Sequence, residues 1–139
     1  MNKEEKKEQL QQKYAELQLL EKHISEVQNH LELLHNQSQE LAKLKENLDD
    51  LKKTRKGKQV YSQIGSGIFI KTELKDNEKI LMNVGANSVV QKTIPEAQEL
   101  IENQKKEVNN SIKEIESKLG EAAVQIQKTR EELIAISKD

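Results

Sequence analysis

The sequence predicts an α+β fold. Its frame is a long antiparallel coiled-coil hairpin with two tandem β-hairpins between the helices, whose strands complete a β-barrel with strands of other subunits. Three observations carry this reading. Apolar residues recur at steps of three and four over two long stretches that flank the middle of the chain. Between Gln59 and Lys92 the period switches to two, in four short runs broken by turn residues. The composition lacks the material of a globular core, with 34% apolar, 2% aromatic and 34% charged residues among 139. Such a chain buries a narrow seam rather than a compact interior. Its sustained periodicity separates it from a disordered chain of similar composition.

The totals also exclude function classes. Net charge is −1, with both signs interspersed, so nothing global points to nucleic acid or a membrane surface. There is no cysteine, hence no disulfide or thiolate chemistry. The charged opening, Lys3-Glu4-Glu5-Lys6-Lys7-Glu8, does not suit a secretory signal, and no apolar run approaches a membrane span. The expected location is the cytoplasm.

The first coiled-coil helix is expected over residues 10–56. Its seam runs Leu10, Tyr14, Leu17, Leu20, Ile24, Val27, Leu31, Leu34, Ser38, Leu41, Leu44, Leu48 and Leu51. Steps of three and three at Tyr14–Leu17–Leu20 and Ser38–Leu41–Leu44 read as stammers that overwind the supercoil. No Gly or Pro interrupts residues 10–53, which gives a helix roughly 65 Å long. Gly57 is a terminator, and Lys52, Lys53, Arg55 and Lys56 suit the negative end of the helix dipole.

The β segment over residues 59–92 comes next. Strands are expected at 59–64, 68–74, 79–84 and 88–92, with a turn at Asp76-Asn77. The breaks at Gly65-Ser66-Gly67 and Gly85-Ala86-Asn87 sit in similar surroundings, suggesting two like hairpins in tandem. Four such strands would form one sheet with two open edges and one apolar face. Open edges must be blunted or paired, so the middle calls for strands from other chains. Its interface residues are Val60, Ile64, Ile68, Phe69, Ile70, Leu74, Ile80, Leu81, Met82, Val84, Val89 and Val90.

The second helix is expected over residues 94–138. Thr93-Ile94-Pro95-Glu96 combines an N-cap threonine, a first-turn proline and a glutamate at N3. The seam continues through Ile94, Ala97, Ile101, Gln104, Val108, Ile112, Ile115, Leu119, Ala122, Ile126, Thr129, Leu133 and Ile136, with a stutter at Gln104–Val108–Ile112. Folded back antiparallel, Leu51 faces Ile94, Leu31 faces Ile115 and Leu10 faces Ile136. Both termini lie at the outer end, where the pair can fray.

No constellation of residues suggests catalysis. His23 and His30 stand about 10 Å apart along a helix, too far to share a metal, and His35 completes no ligand set. No phosphate-binding glycine motif and no spaced nucleophile is present. The expectation is no enzyme, no metal and no cofactor. The run Lys52-Lys53-Thr54-Arg55-Lys56-Gly57-Lys58 could meet an acidic partner or nucleic acid. Its place at a helix end gives it a structural role already, and it carries no interleaved aromatics.

The stretches Gly65-Ser66-Gly67-Ile68-Phe69-Ile70-Lys71-Thr72-Glu73-Leu74, Lys79-Ile80-Leu81-Met82-Asn83-Val84-Gly85-Ala86 and Val89-Val90-Gln91-Lys92 resemble the alpha subunits of archaeal prefoldin. The resemblance covers the whole chain, so that residues 1–139 read as a single prefoldin-like domain, and it is strongest from Ile64 to Gln104. It implies a hetero-hexamer of two alpha and four beta subunits, with hairpins joined in two eight-stranded barrels. It also implies coiled coils whose ends hold non-native polypeptides without ATP and deliver them to a group II chaperonin. The matching outer-end residues are Leu10, Tyr14, Leu17, Leu19 and Leu20 on one arm, and Ile126, Leu133, Ile134 and Ile136 on the other. The alternatives are a tethering scaffold subunit that binds no clients, and a nucleic-acid binder that uses the basic run.

Overall fold

The computed structural model describes residues 2–138. In chain order the elements are α1 (Lys3–Lys53), β1 (Gln59–Gly65), β2 (Ile68–Glu73), β3 (Lys79–Asn83), β4 (Val89–Thr93) and α2 (Ile94–Lys138). They gather into two compact units, one of Met1–Gln37 with Val108–Asp139 and the other Ser38–Glu107.

Helix α1 begins seven residues before the expected start at residue 10. The reason is a cap that seam counting overlooks. The Asn2 Oδ1 accepts the Glu5 backbone N–H at 2.8 Å, and the Asn2 N–H donates to the Glu5 carboxylate at 3.4 Å. This reciprocal pair satisfies donors that a helix start leaves orphaned. At the other end α1 stops at Lys53 rather than residue 56. The Thr54 N–H turns back to Leu51 O at 3.1 Å, and Gly57 takes a left-handed φ of 85°. The Gly57 N–H then donates to Leu74 O at 2.7 Å, so the chain passes from helix end straight into strand pairing.

The middle forms two separate two-stranded sheets, β1 with β2 and β3 with β4, both antiparallel. The single four-stranded sheet expected from the sequence is not formed. The connector between β2 and β3 is committed elsewhere. The Asp76 Oδ1 accepts the N–H groups of Glu78 and Lys79 at 2.8 and 3.2 Å, and the Asn77 amide donates to Thr54 O at 3.0 Å. Those hydrogen bonds, first Glu78 and then Lys79, hold the Asp76 carboxyl below the usual aspartate range, helped by the charges of Lys56 and Lys79. Each ribbon therefore keeps both outer edges unpaired. The β3–β4 turn has Ala86 and Asn87 at φ 50° and 59°, and the Ser88 N–H reaches Gly85 O at 2.9 Å. This is the mirror-image turn that fits strand twist.

Strand β4 runs into α2 with no intervening residue. The Ile94 N–H donates to Glu78 O at 2.9 Å, and Thr93 Oγ1 accepts the Glu96 N–H at 3.3 Å. Removing this cap, Thr93→Ala, should lower stability by about 1 kcal/mol, read as a lower thermal midpoint by circular dichroism; an unchanged midpoint would show that Pro95 and strand continuity alone set the helix start.

In the unit Ser38–Glu107, the helices run antiparallel and cross-linked by side chains. Lys45 Nζ meets Glu102 Oε2 at 2.7 Å, and the Gln98 amide donates to Asp49 at 2.6 Å. The core here is closed, with Ile94, Ala97 and Ile101 at 1%, 0% and 1% exposure. In the other unit the helices are again antiparallel, linked by Lys13 to Glu132 at 2.5 Å, Glu21 to Arg130 at 3.1 Å and His35 to Glu116 at 3.8 Å.

The seam differs from the expected one at three positions. Tyr14 and Leu44 are 57% and 43% exposed, and Lys13 and Lys45 are half-buried in their place. The step through Lys13 restores the three–four alternation, so the first stammer does not exist, and the step through Lys45 moves the second to Lys45–Leu48–Leu51. On α2 Gln104 is exposed and Lys105 is half-buried, which moves the step-of-four irregularity to Ala97–Ile101–Lys105. Lysine serves because its stem covers apolar surface while its ammonium reaches a carboxylate at the margin.

Candidate functional site

Two surfaces present apolar side chains that the chain does not cover. The first is the pair of ribbons. In the first ribbon Val60 pairs with Thr72 and Ser62 with Ile70, and these share a face with Ile68. A hydroxyl pair, Ser62 Oγ to Thr72 Oγ1 at 2.6 Å, interrupts the apolar surface toward the base. The reverse face pairs Tyr61 with Lys71 and Gln63 with Phe69. Ile64 is the residue left over where the register shifts between Gln63 and Gly65, and a bulge of this kind bends a strand. In the second ribbon Ile80, Met82, Val90 and Lys92 share one face, while Leu81 and Val89 lie on the other with Asn83 and Gln91.

The expected interface residues therefore divide. Val60, Leu74, Ile80, Met82 and Val90 are half-buried, and Ile64, Ile68, Phe69, Ile70, Leu81, Val84 and Val89 are exposed. They do not form the single apolar face that the sequence suggested, because Phe69, Leu81 and Val89 point away from Ile70, Met82 and Val90. Tyr61, 68% exposed, belongs with the Phe69 face and was not singled out from the sequence. Its alternation with Val60 was the available signal.

The second surface lies where both termini meet, within the unit of Met1–Gln37 and Val108–Asp139. Leu10, Leu17, Leu20, Leu133 and Ile136 are only half-buried, Ile126 is buried, and Tyr14, Leu19 and Ile134 are exposed. A shallow groove of about 370 Å³ is lined by Leu10, Tyr14, Ala15 and Leu133 with Lys7, Gln11 and Gln18. Polar groups enter this seam. Thr129 is fully buried, with its hydroxyl donating back to Gln125 O at 2.9 Å. The hydrogen bond to Glu132 holds the Lys13 ammonium above the ordinary lysine value, and the same bond holds Glu132 below the ordinary glutamate value. The pair is thus fully charged across neutral pH. Its contribution fades as pH falls through the Glu132 value, or rises through that of Lys13.

Among the described residues, no group of three or more His, Cys, Asp or Glu could hold a metal ion. No helix among them is long and apolar enough to cross a membrane.

Comparison with known proteins places this geometry. The prefoldin-subunit family model matches residues 20–139. The prefoldin subunit alpha of Archaeoglobus fulgidus is 27% identical over 126 residues, covering 91% of this chain and 92% of the relative. That of Pyrococcus horikoshii is 30% identical over 124 residues, covering 84% of each. A cryo-EM structure of filamentous PFD from Methanocaldococcus jannaschii superimposes with a TM-score of 0.57 at 23% identity, over 91% of this chain and 98% of that one. That likeness speaks for the shared fold of two long helices flanking two β-hairpins. The chain belongs to the prefoldin family of chaperone subunits, where its relatives are the alpha subunits of archaea.

Proposed function

We propose that the chain is the alpha-type subunit of an ATP-independent holding chaperone, without enzymatic activity or cofactor. It assembles through its ribbons with prefoldin beta subunits, as two alpha and four beta chains, in barrels closed between subunits. It holds non-native polypeptides at the free end of its helical pair, and a group II chaperonin receives them. A cytoplasmic site suits such clients. The observation that carries the reading is a contrast in burial between the two units. In the unit Ser38–Glu107 the seam is sealed at Ile94, Ala97 and Ile101, and in the unit that holds both termini Ile126 and Thr129 are buried while Leu10, Leu17, Leu133 and Ile136 stay only half-buried. Half-buried aliphatic side chains offer area to another apolar chain without a preformed pocket, which suits clients of varied sequence.

The test co-expresses the chain with a beta-type partner and measures suppression of aggregation of a chemically unfolded protein. Deleting the residues before Glu21 and after Gly120 should leave the complex at its native mass and remove most of the holding contributed by this subunit. Full holding by the truncated complex would overturn the end-of-helix assignment. A complex of normal mass that never holds clients would favour a tethering scaffold.

A further inference from the structure

Within the unit that holds both termini, the seam opens once between two buried positions. Ile112 and Ile126 are buried. Ile115, Leu119 and Ala122 between them are only half-buried, as are Ile24 and Val27 on α1. These five residues floor a groove of about 280 Å³. Its cause is local. Ala122 brings only a methyl group to a seam position, where Leu119 and Ile126 on either side bring full aliphatic side chains. Space that a larger side chain would take is left unfilled.

The rim of the groove is His23, Glu26 and His30 on α1 and Lys118 on α2. Among the described residues, no ion pair uses any of the four, so no salt bridge closes the groove. Glu26 and Lys118 cancel in formal charge. The α1 flank is apolar again beyond this rim. Leu19 and Leu33 stand seven residues to either side of Glu26, on the same face of the helix, and both are exposed. Leu19 is also part of the apolar surface where the termini meet, so the groove and that surface are continuous.

Size, charge and spacing narrow the occupant. The volume falls just under the roughly 300–1,000 Å³ of sites that enclose a whole small molecule, and it suits one bulky side chain. A rim without net charge selects no charged partner. A docking helix needs apolar anchors at successive turns, and the turn between Leu19 and Leu33 presents Glu26. The distance from Leu19 to Leu33 is about 21 Å along the axis, the reach of six or seven extended residues.

We propose that the groove is a side-chain socket within the holding surface. An extended segment of a non-native polypeptide crosses Leu19 and Leu33 and sets one bulky apolar side chain, of leucine or phenylalanine size, against Ile24 and Ala122. The inference rests on the holding reading above and carries part of the grip inward from the outermost residues. The segment is selected by the size of that side chain rather than by charge.

The experiment uses the complex with the beta-type partner and a short neutral peptide carrying one p-benzoylphenylalanine, whose ketone attaches to nearby C–H bonds under light. Attachment sites are mapped by mass spectrometry. The affinities of the matching phenylalanine and alanine peptides are measured by fluorescence anisotropy. Attachment should fall on Ile24, Val27, Leu119 and their neighbours, and the phenylalanine peptide should bind roughly 10- to 150-fold tighter than the alanine one. Ala122→Leu fills the groove with a residue that suits a seam; it should remove those attachments and most of the preference for phenylalanine. Leu19→Ser with Leu33→Ser changes only exposed positions and tests the flank without touching the seam; it should weaken both peptides. Attachment confined to residues 10–20 and 126–136, or unchanged attachment in Ala122→Leu, would overturn the socket and leave the holding reading intact. A complex that neither binds the peptides nor suppresses aggregation would overturn both. Growth of the complex mass with concentration that Ala122→Leu abolishes would overturn the choice of occupant, in favour of a helix from a second copy.

Discussion

Ile70→Glu should abolish assembly while leaving the chain as helical as before. Ile70 lies in the centre of β2, opposite Ser62 and on the face shared with Val60 and Ile68. It is still 44% exposed, so nothing in its own chain completes its surroundings. Once strands of another subunit cover that face, isoleucine burial contributes about 1.5–3 kcal/mol. A glutamate at the same place forfeits that gain and adds several kcal/mol for a carboxylate buried without a partner. Each 1.4 kcal/mol is about tenfold in affinity, so the loss should exceed roughly a thousandfold. The measurement is native mass at fixed concentration with the beta-type partner. Gln63→Glu is the control, because it adds the same charge on the reverse face, opposite Phe69, and it should assemble. A full-size complex containing Ile70→Glu would show that this face is not the one buried.

What the sequence conveyed and what it withheld divide along physical lines. Alternation in Ile68–Glu73 and Lys79–Asn83 was legible because a strand with one polar side leaves that imprint regardless of its neighbours. The pairing into two hairpins was legible from the breaks at Gly65-Ser66-Gly67 and Gly85-Ala86-Asn87, but whether the hairpins join into one sheet was not. Periodicity reports the faces of a strand but not the occupant of its edge, and β2 and β3 end in separate ribbons. The seam was legible wherever it used aliphatic residues. It was misread at Lys13 and Lys45, because reading for apolar types alone selects the adjacent Tyr14 and Leu44 and ignores a long stem that can cover a seam. The heptad phase itself held the correction: steps of three and four alternate from Leu10 through both lysines as far as Leu48. The helix start at Asn2-Lys3-Glu4-Glu5 was legible in principle as a cap with glutamate three residues on. The candidate surfaces were legible as residues and not as geometry. The sequence shows that Phe69 and Ile70 are apolar, but not that both remain uncovered on opposite faces.

The lysine misread in the seam leads to the second large effect. Near the termini two consecutive layers of the seam carry a polar group, Lys13 and Thr129, between the aliphatic layers of Leu10 with Ile136 and Leu20 with Ile126. Each aliphatic layer there must therefore hold without a full apolar neighbour, and opening that end releases few contacts. The double change Lys13→Leu and Thr129→Val makes the seam continuous. Valine keeps the volume of threonine and removes a hydroxyl that only bonds its own helix at Gln125 O. Leucine replaces a lysine stem at a half-buried position, and the bereft Glu132 keeps its access to water. The gain is about 2–3 kcal/mol for the two changes, from added apolar burial less a surface ion pair that contributes little. If the end must open to bind clients, a gain of that size lowers the open population by roughly 30- to 150-fold. Amide hydrogen exchange over residues 10–20 and 126–136 should slow accordingly, and the complex should suppress aggregation less well. Slower exchange with undiminished holding would separate the two and show that clients bind the closed helical pair, on Tyr14, Leu19 and Ile134.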